Sequence, residues 1–128
     1  GKNVPIAVKL DPDMSHEQIK LLADLFLELK IDAVIATNTT ISRDEVKTHH
    51  LASEQGGLSG KPIHSKSNEA ISRFYRALND DIPIIGVGGI SSKKDAEEKI
   101  AAGAKLLQIY TGLVYQGPSL VKELLSIE

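Results

Sequence analysis

Residues 82–92 read IPIIGVGGISS, an apolar run that ends in glycines and then in two serines. A short apolar run is typical of a buried strand, and glycine followed by serine is typical of a turn into a helix. Ser92 and Asp95 have the spacing of a capping box, and Gly103 is placed to end a helix. The stretch therefore predicts a strand over Ile82–Val87 and a helix from Ser92 to just before Gly103.

Three further apolar runs have the same character. They cover Val4–Leu10, Ala33–Ala36 and Leu106–Tyr110. All three are short and nearly continuous rather than alternating, a pattern that predicts parallel strands covered on both faces. The chain therefore contains four predicted strands.

A helical pattern follows each predicted strand. Besides the helix that begins at Ser92, the patterns cover Ser15–Leu29, Ser67–Leu78 and a segment that begins at Pro118. Ser15 and Gln18 have capping-box spacing, and proline is favoured at the first helical position. Five apolar residues of the first helix are expected on its buried face: Ile19, Leu22, Ala23, Phe26 and Leu29.

The βα unit, repeated four times, fits two architectures. One is a small open doubly wound sheet, and the other is part of a (β/α)₈ barrel. A complete barrel needs about 250 residues, so this chain corresponds to about half of one. Polar residues and glycines follow the strands, where a barrel collects its active site. We therefore predict an α/β fold, the (β/α)₄ half of a TIM (β/α)₈ barrel, with parallel strands, outer helices and a single domain over residues 1–128.

Composition excludes several classes of function. The chain has 15 Lys and Arg against 17 Asp and Glu, a net charge of -2, and no basic run that favours nucleic acid or an anionic membrane. The absence of cysteine excludes disulfides, thiolate metal sites and a thiol nucleophile. No apolar stretch approaches the roughly 18–20 residues that span a bilayer. We expect a soluble, cytoplasmic chain that binds no nucleic acid.

The connection from Ile41 to Lys66 is much longer than the others and shows little periodicity. Loops of this length are commonly functional lids or mobile segments. Within it, Arg43 is interpreted as surface charge. His49 and His50 are adjacent, so their side chains are expected to diverge. No histidine spacing indicates a metal site, and no serine, histidine and aspartate pattern indicates nucleophilic catalysis.

The strongest candidate for a ligand site is the glycine-rich turn after Val87. Glycines let a backbone approach a ligand closely, and free N–H groups at the start of a helix favour an anion. The next strand ends in Tyr110-Thr111-Gly112, which offers backbone donors and a hydroxyl. Loops after consecutive barrel strands form a recurrent phosphate site. The alternative is a tight turn whose glycines serve only packing, because glycine clusters are common at such turns. The spacing of the glycines matches neither a dinucleotide-binding fingerprint nor a P-loop.

Three other segments are candidates. Lys9 lies inside the first apolar run, where burial is costly unless its ammonium meets an anion or an electron-rich ring; otherwise it is a snorkelling surface lysine. Residues 36–40 read ATNTT, whose amide and hydroxyl groups suit a neutral heterocycle with amide edges or, equally, an ordinary turn. Residues 56–62, GGLSGKP, are either a flexible linker or a second backbone clamp on the same anion.

Together these segments resemble the C-terminal half of the dihydroorotate dehydrogenase family, most closely its quinone-dependent class. Five motifs carry the resemblance, in order and along nearly the whole chain: VKLDPD at 8–13, ATNTT at 36–40, GGLSG at 56–60, IIGVGGI at 84–90 and YTG at 110–112. The resemblance implies an FMN-containing (β/α)₈ barrel that oxidises dihydroorotate to orotate in pyrimidine biosynthesis, with a quinone as electron acceptor.

The resemblance also implies roles for single residues. Lys9 would lie against the flavin ring, and Thr37 would also contact FMN. Four residues match positions at the FMN phosphate and around it: Gly60, Gly89, Tyr110 and Thr111. Asn38 and Thr39 match the pair that contacts orotate, in agreement with the amide-recognition interpretation.

Some of the family's pattern has no counterpart in this sequence. The serine general base belongs to a motif of the family's N-terminal half, which we expect to be absent together with four strands and the helical extension that meets membrane and quinone. Asp11 stands where serine is usual, and Lys61 where arginine is usual. We therefore expect no catalytic residue in this chain and no activity from it alone. The parent, if bacterial, is expected to be peripheral to the cytoplasmic face of the inner membrane.

A half barrel leaves two unpaired strand edges and an exposed apolar inner face, which predicts self-association. Three alternatives remain open. The chain could be part of a fumarate- or NAD-linked dihydroorotate dehydrogenase, a non-catalytic half barrel that binds flavin or phosphate, or a structural fragment without ligand affinity.

Overall fold

The structure, a computed structural model, describes residues 4–127. Its strands are β1 (Ala7–Leu10), β2 (Ala33–Ala36), β3 (Ile84–Val87) and β4 (Leu106–Gln108). Its helices are α1 (His16–Leu29), α2 (His64–Leu78), α3 (Lys93–Ala101), α4 (Thr111–Gln116) and α5 (Pro118–Leu124). Two 3₁₀ turns, Asp44–Val46 and Lys61–Ile63, interrupt the long connection after β2. No helix in the described range is long and apolar enough to cross a membrane.

The four strands form one parallel sheet in the order β1-β2-β3-β4. Lys9 is in register with Ile35, Ile35 with Ile85, and Ile85 with Leu106. Sequential order means that every crossover moves in the same direction, so right-handed connections leave the helices on one face. A doubly wound sheet instead reverses its strand order and carries helices on both faces. The topology therefore confirms the predicted barrel portion.

The hydrophobic core lies between the sheet and helices α1 and α2. Val34 and Ala36 of β2 and Ile84 of β3 are buried on the helix-facing side of the sheet. The helices contribute side chains at helical spacing: Ile19, Ala23, Phe26, Ile71, Phe74 and Leu78. This layer of apolar side chains holds the sheet and helices together and thereby places the strand ends.

The opposite face of the sheet is open, as the half-barrel interpretation predicted, and the expectation of strands covered on both faces is therefore wrong for the described chain. Alternate residues point to opposite faces of a strand, and the row Lys9, Ile35, Ile85 and Leu106 lies away from the helices. Leu106 is 63% exposed, and Lys9 is also exposed. In the described part of the chain, β1 and β4 each pair on one side only.

Helix α1 begins at the predicted capping box. The hydroxyl of Ser15 accepts a hydrogen bond from the Gln18 N–H (3.2 Å), and the Gln18 side chain accepts one from the Ser15 N–H (2.8 Å). The expected burial of Leu29 is wrong, since it is 60% exposed. Leu29 is the last residue of α1, and the buried residues of the helix are Ile19, Ala23 and Phe26.

Three other local predictions need correction. Ser92 caps α3, but the Asp95 carboxylate accepts from the N–H and hydroxyl of Ser91, so only one of the two capping-box bonds forms. Helix α2 begins at His64, three residues before its predicted start. Helix α4 was not predicted, because Tyr110-Thr111-Gly112 was placed at the end of the last strand and the residues from there to Pro118 showed no recognised pattern.

Candidate active-site cavity

A cavity of about 530 Å³ lies where the carboxyl ends of the strands meet. Its lining comes from β1, the segment after β2, the glycine-rich segment near position 60, and the ends of β3 and β4. All eight site residues expected from the sequence line it: Lys9, Thr37, Asn38, Thr39, Gly60, Gly89, Tyr110 and Thr111. The structure thus brings five separate segments of the chain to one place.

Two glycines give the cavity its shape. Gly89 has φ +72°, and a Cβ there would lie 2.6 Å from the Cα of His64. Gly60 has φ +79°, and a Cβ there would lie 2.9 Å from Cγ2 of Thr111. L side chains rarely adopt such backbone angles, so both positions require glycine. These glycines keep bare backbone at the cavity wall, where a ligand can reach it.

The ends of β3 and β4 offer hydrogen-bond donors. Within residues 4–127, the backbone N–H groups of Gly89, Ile90, Thr111 and Gly112 have no intramolecular acceptor. The Thr111 hydroxyl donates to the Ser59 hydroxyl (3.0 Å) and so joins the β4 end to the glycine-rich segment. Among the described residues, the lining includes one cation, Lys9, and no carboxylate. Such a site suits an anion, because several donors meet without a competing negative charge.

The end of β2 places polar groups on another wall of the same cavity. The Ala36–Thr37 peptide bond is cis. The Thr37 N–H donates to the Val87 carbonyl (2.9 Å), and the Thr37 hydroxyl donates to the Asn38 carbonyl (3.0 Å). Asn38 is exposed, and its side-chain oxygen accepts from the Thr39 N–H (3.0 Å). In the described chain its side-chain nitrogen has no partner and stays available to a ligand.

A partly buried polar network lies next to this wall and supports it. The Asp13 carboxylate accepts hydrogen bonds from the Thr40 hydroxyl (2.5 Å), the Ile41 N–H (2.9 Å) and the Lys66 ammonium. Partial burial alone raises the pKa of Asp13, but these three donors outweigh it and lower the pKa to about 2. Thr40 and Leu58 exchange backbone hydrogen bonds of 3.1 and 2.8 Å. The network therefore ties the Asn38–Thr39 segment to the glycine-rich segment.

Comparison with known proteins now identifies the family. Residues 1–126 match the protein family described as "Dihydroorotate dehydrogenase". This chain belongs to the dihydroorotate dehydrogenase family. Among curated relatives, the "Dihydroorotate dehydrogenase (quinone)" of Haemophilus influenzae (strain PittEE) is 56% identical over 97% of this chain. That of Pasteurella multocida is 56% identical over 96% of it. These relatives agree with the predicted quinone-dependent class.

Solved structures of the family have the same fold. The ligand-free DHODH from Eimeria tenella is 38% identical, with a TM-score of 0.88 over 92% of this chain and 33% of that chain. The complex of the Eimeria tenella DHODH with ferulenol has a TM-score of 0.90 over 97% of this chain. The chain spans 37% of the Haemophilus relative, so it matches a portion of a dihydroorotate dehydrogenase barrel.

Arg43, interpreted from the sequence as surface charge, is instead a structural residue of this dihydroorotate dehydrogenase domain. It is half-buried, and its guanidinium donates to the carbonyls of Glu54 (3.0 Å) and Gly56 (2.6 Å). It also donates to three carbonyls at residues 40–42. Through these hydrogen bonds the planar guanidinium holds the two ends of the loop after β2 together and orders the segment that leads to Gly60. The pattern of charges in the sequence did not indicate this role.

The histidines of the same loop differ from expectation in one respect. The rings of His49 and His50 stack, with centroids 4.5 Å apart, so the expected divergence of their side chains is wrong. Over residues 4–127 no group of three or more histidine, aspartate or glutamate side chains is placed to hold a metal ion.

Sequence analysis of the dihydroorotate dehydrogenase cavity missed Gln108, which also lines it. Gln108 lies two residues after Leu106 and therefore on the same open face of β4. Strand periodicity identifies Gln108 as a cavity residue once it is known which face of β4 is open. Ser59 was quoted within a motif but had no predicted role, and its contact with Thr111 spans 52 positions.

Proposed function

We propose that this chain forms the FMN- and substrate-binding portion of a quinone-dependent dihydroorotate dehydrogenase, which oxidises dihydroorotate to orotate in pyrimidine biosynthesis. One observation carries the proposal. Eight residues from separate segments, all expected from the family resemblance to meet FMN or orotate, line one cavity. The family membership of the chain and the names of its relatives support the reaction.

The residues of the cavity fit FMN. Bare backbone at Gly60 and Gly89, with free N–H groups nearby, suits a phosphate, and the lining among described residues contains no carboxylate to repel it. When bound, FMN would supply the redox chemistry of the site, as the acceptor of a hydride from dihydroorotate and the donor of electrons to a quinone. Lys9, exposed on the open face, supplies a cation that stabilises negative charge developing at the ring.

Asn38 and Thr39 suit the substrate. Orotate and dihydroorotate have amide edges with donors and acceptors, and the Asn38 side chain matches such an edge without introducing charge. The hydrogen bond from the Thr39 N–H holds the Asn38 side chain in one orientation. Pre-orientation of this kind lowers the entropic cost of binding.

Cofactor binding is tested by titrating the purified chain with FMN and following flavin fluorescence, with inorganic phosphate as competitor. We expect saturable binding that excess phosphate weakens. Gly89→Ala should abolish it, because the new Cβ collides with the His64 backbone. Gly117→Ala is the matched control, since Gly117 also has a positive φ (+66°) but nothing within 4 Å of a Cβ. Circular dichroism should verify that both variants are folded.

A second pair of variants leaves the backbone untouched. Lys9→Met should weaken FMN binding, while Lys20→Met, an exposed lysine on α1, should not. Equal effects of both members in each pair would contradict the assigned cavity, and so would wild-type chain that binds no FMN. Binding of phosphate without flavin would instead favour a phosphate-binding half barrel.

We further propose that the chain alone does not turn over dihydroorotate, because the family's serine base has no counterpart among its motifs. The assay is reduction of a dye acceptor with dihydroorotate and FMN present. We expect the rate of the no-protein control. Turnover above that rate would overturn the assignment of the base to another part of the enzyme.

Finally, we propose that the chain on its own self-associates through the open side of the sheet. Leu106 on that face is largely exposed. Val114 and Tyr115 of α4, the helix that follows β4 in sequence, are also largely exposed. The outer edges of β1 and β4 are unpaired in the described range and can accept further strands. Light scattering of the wild-type chain at tens of micromolar tests this association.

A further inference from the structure

A lysine is buried directly behind the cavity. Lys99 of α3 has no exposed surface, and its Nζ donates to the Ser67 hydroxyl (3.1 Å) and to Oδ1 of Asn68 (2.7 Å). In the described part of the chain, no carboxylate lies within ion-pair distance of it. Lysine is almost never fully buried without a paired charge. The FMN and substrate contacts proposed above do not use this group.

A chain of hydrogen bonds joins Lys99 to the turn after β3. The Ser67 hydroxyl donates to the Val87 carbonyl (2.7 Å), which also accepts the Thr37 N–H (2.9 Å). An ammonium can only donate, so Ser67 must accept from Lys99 and direct its own proton to Val87. Protonated Lys99 therefore fixes the direction of the whole chain of bonds.

The same hydroxyl also lies against the turn itself. A Cβ on Gly88 would lie 3.1 Å from both Cβ and Oγ of Ser67. The aliphatic stem of Lys99 fills the space left by Gly86, where a Cβ would lie 2.8 Å from Cγ and 2.9 Å from Cδ of the lysine. Gly86 thus makes room for the stem, and Gly88 makes room for the serine that the ammonium holds.

The charges around Lys99 come from two helices. Asp95 and Glu98 lie on its own helix, and His64 of α2 has its Nε2 2.8 Å from the Glu98 carboxylate. Strand β3, sequence IIGV, adds no titratable side chain. Burial lowers the pKa of Lys99 to about 8, although Asp95 and Glu98 act in the opposite direction.

We propose that Lys99 is a positioning residue for the anion-binding turn: through Ser67 it holds the Val87 carbonyl in place, and it puts a positive charge behind the N–H groups at Gly88–Ile90. The ligand part of this inference rests on the proposed function, in which the anion is the phosphate of FMN. Loss of the proton or of the side chain loosens the turn and weakens anion binding.

The structural part is tested by amide hydrogen exchange on the ¹⁵N-labelled chain. Lys99→Met should raise exchange of the Thr37 N–H by about tenfold, because its acceptor is released. Exchange of the Val34 N–H, which donates to the Pro83 carbonyl at the other end of the strand, should not change. Lys94→Met is the matched control, an exposed lysine on the same helix, and Lys99→Arg should restore protection.

The wild-type chain supplies a test that does not depend on a variant folding. Amide shifts of Thr37 and Gly88 should titrate with a midpoint near pH 8, and Lys99→Met should remove that transition. Absence of that transition in the wild-type chain would overturn the positioning role. Unchanged Thr37 exchange in Lys99→Met, or the same titration in that variant, would do so as well.

The ligand part is tested by FMN titration at pH 7.5 and 9.5. At pH 7.5 we expect affinity of Lys99→Met to be about fivefold lower than that of wild type, and wild-type affinity to fall at pH 9.5. Lys94→Met is the control for any effect of pH on FMN itself. If the chain binds no FMN, the proposed function fails while the exchange experiment still decides the role of Lys99. Binding by Lys99→Met equal to wild type at both pH values would overturn the electrostatic role.

Discussion

The two faces of the sheet use the same strands in opposite ways. On the helix-facing side, Val34 and Ala36 are fully buried and belong to the main core. On the other side, Lys9, Ile85 and Leu106 form a row that no described segment covers. The cavity opens at the carboxyl end of this uncovered side. Stability of the chain thus comes from one face, and its ligand chemistry is placed at the other.

The largest expected effect is a difference in core energetics between the faces. Phe74→Ala removes a fully buried ring beneath the sheet and should cost about 3–5 kcal/mol in the free energy of unfolding. Ile85→Ala removes a half-buried side chain from the open face and should cost less than about 1.5 kcal/mol. Urea denaturation at pH 7 measures both. Equal costs, measured at concentrations too low for the chain to associate, would mean that another part of the chain covers the open face.

The helix-facing side was largely predictable in detail. The half-barrel prediction also implied an exposed inner face, but the sequence did not show which strand residues lie on it. Ser15 and Gln18 indicated the start of α1, and the glycines at 88–89 indicated the turn, because caps and turns depend on neighbouring residues. The run IIGV at 84–87 is apolar at nearly every position, so its pattern does not show which side faces solvent.

Contacts between distant residues were also beyond sequence reasoning. Lys99 lies in the run EEKIA, which reads as an ordinary charged helix surface, yet its bond to Ser67 spans 32 positions. Lys66 and Asp13 are 53 positions apart. In both cases the partner is chosen by packing of separate elements, and no local propensity records it.

The second effect is a pH dependence that comes from the buried side. Lys99 has a pKa of about 8 in the folded chain and an ordinary value of 10.5 when unfolded. The unfolded state therefore binds more protons between these values, so stability rises with pH, by up to about 3 kcal/mol. The measurement is the difference in urea midpoint between wild type and Lys99→Met from pH 7.5 to 10.5. A difference that does not change with pH would contradict the burial of a charged Lys99.

The third effect comes from Asp13, whose hydrogen bonds with Thr40 and Ile41 support the cavity wall after β2. The pKa of Asp13 is about 2 in the folded chain against 3.8 when unfolded, so its stabilising contribution is complete above pH 3.8 and is lost as pH falls through 2. That contribution amounts to about 2 kcal/mol. Asp13→Asn should lower the free energy of unfolding by a similar amount at pH 7, and that free energy should depend less on pH in the acid range. Asp24→Asn, an exposed position on α1, should do neither.

The smallest expected effect on stability comes from Leu106→Glu, which tests whether association covers the open face without disturbing the fold. Leu106→Glu puts a charge on the exposed row and should change the free energy of unfolding of the monomer, measured at concentrations too low for association, by less than about 0.5 kcal/mol, because Leu106 is 63% exposed. It should nevertheless abolish self-association, since a carboxylate cannot be desolvated against an apolar partner. Leu21→Glu is the matched control: Leu21 is 70% exposed, but it lies on α1, away from the open face. Light scattering at tens of micromolar should find wild type and Leu21→Glu associated and Leu106→Glu monomeric. Monomeric wild type would show that the uncovered face is tolerated in water, and equal dissociation of both variants would place the contact elsewhere on the chain.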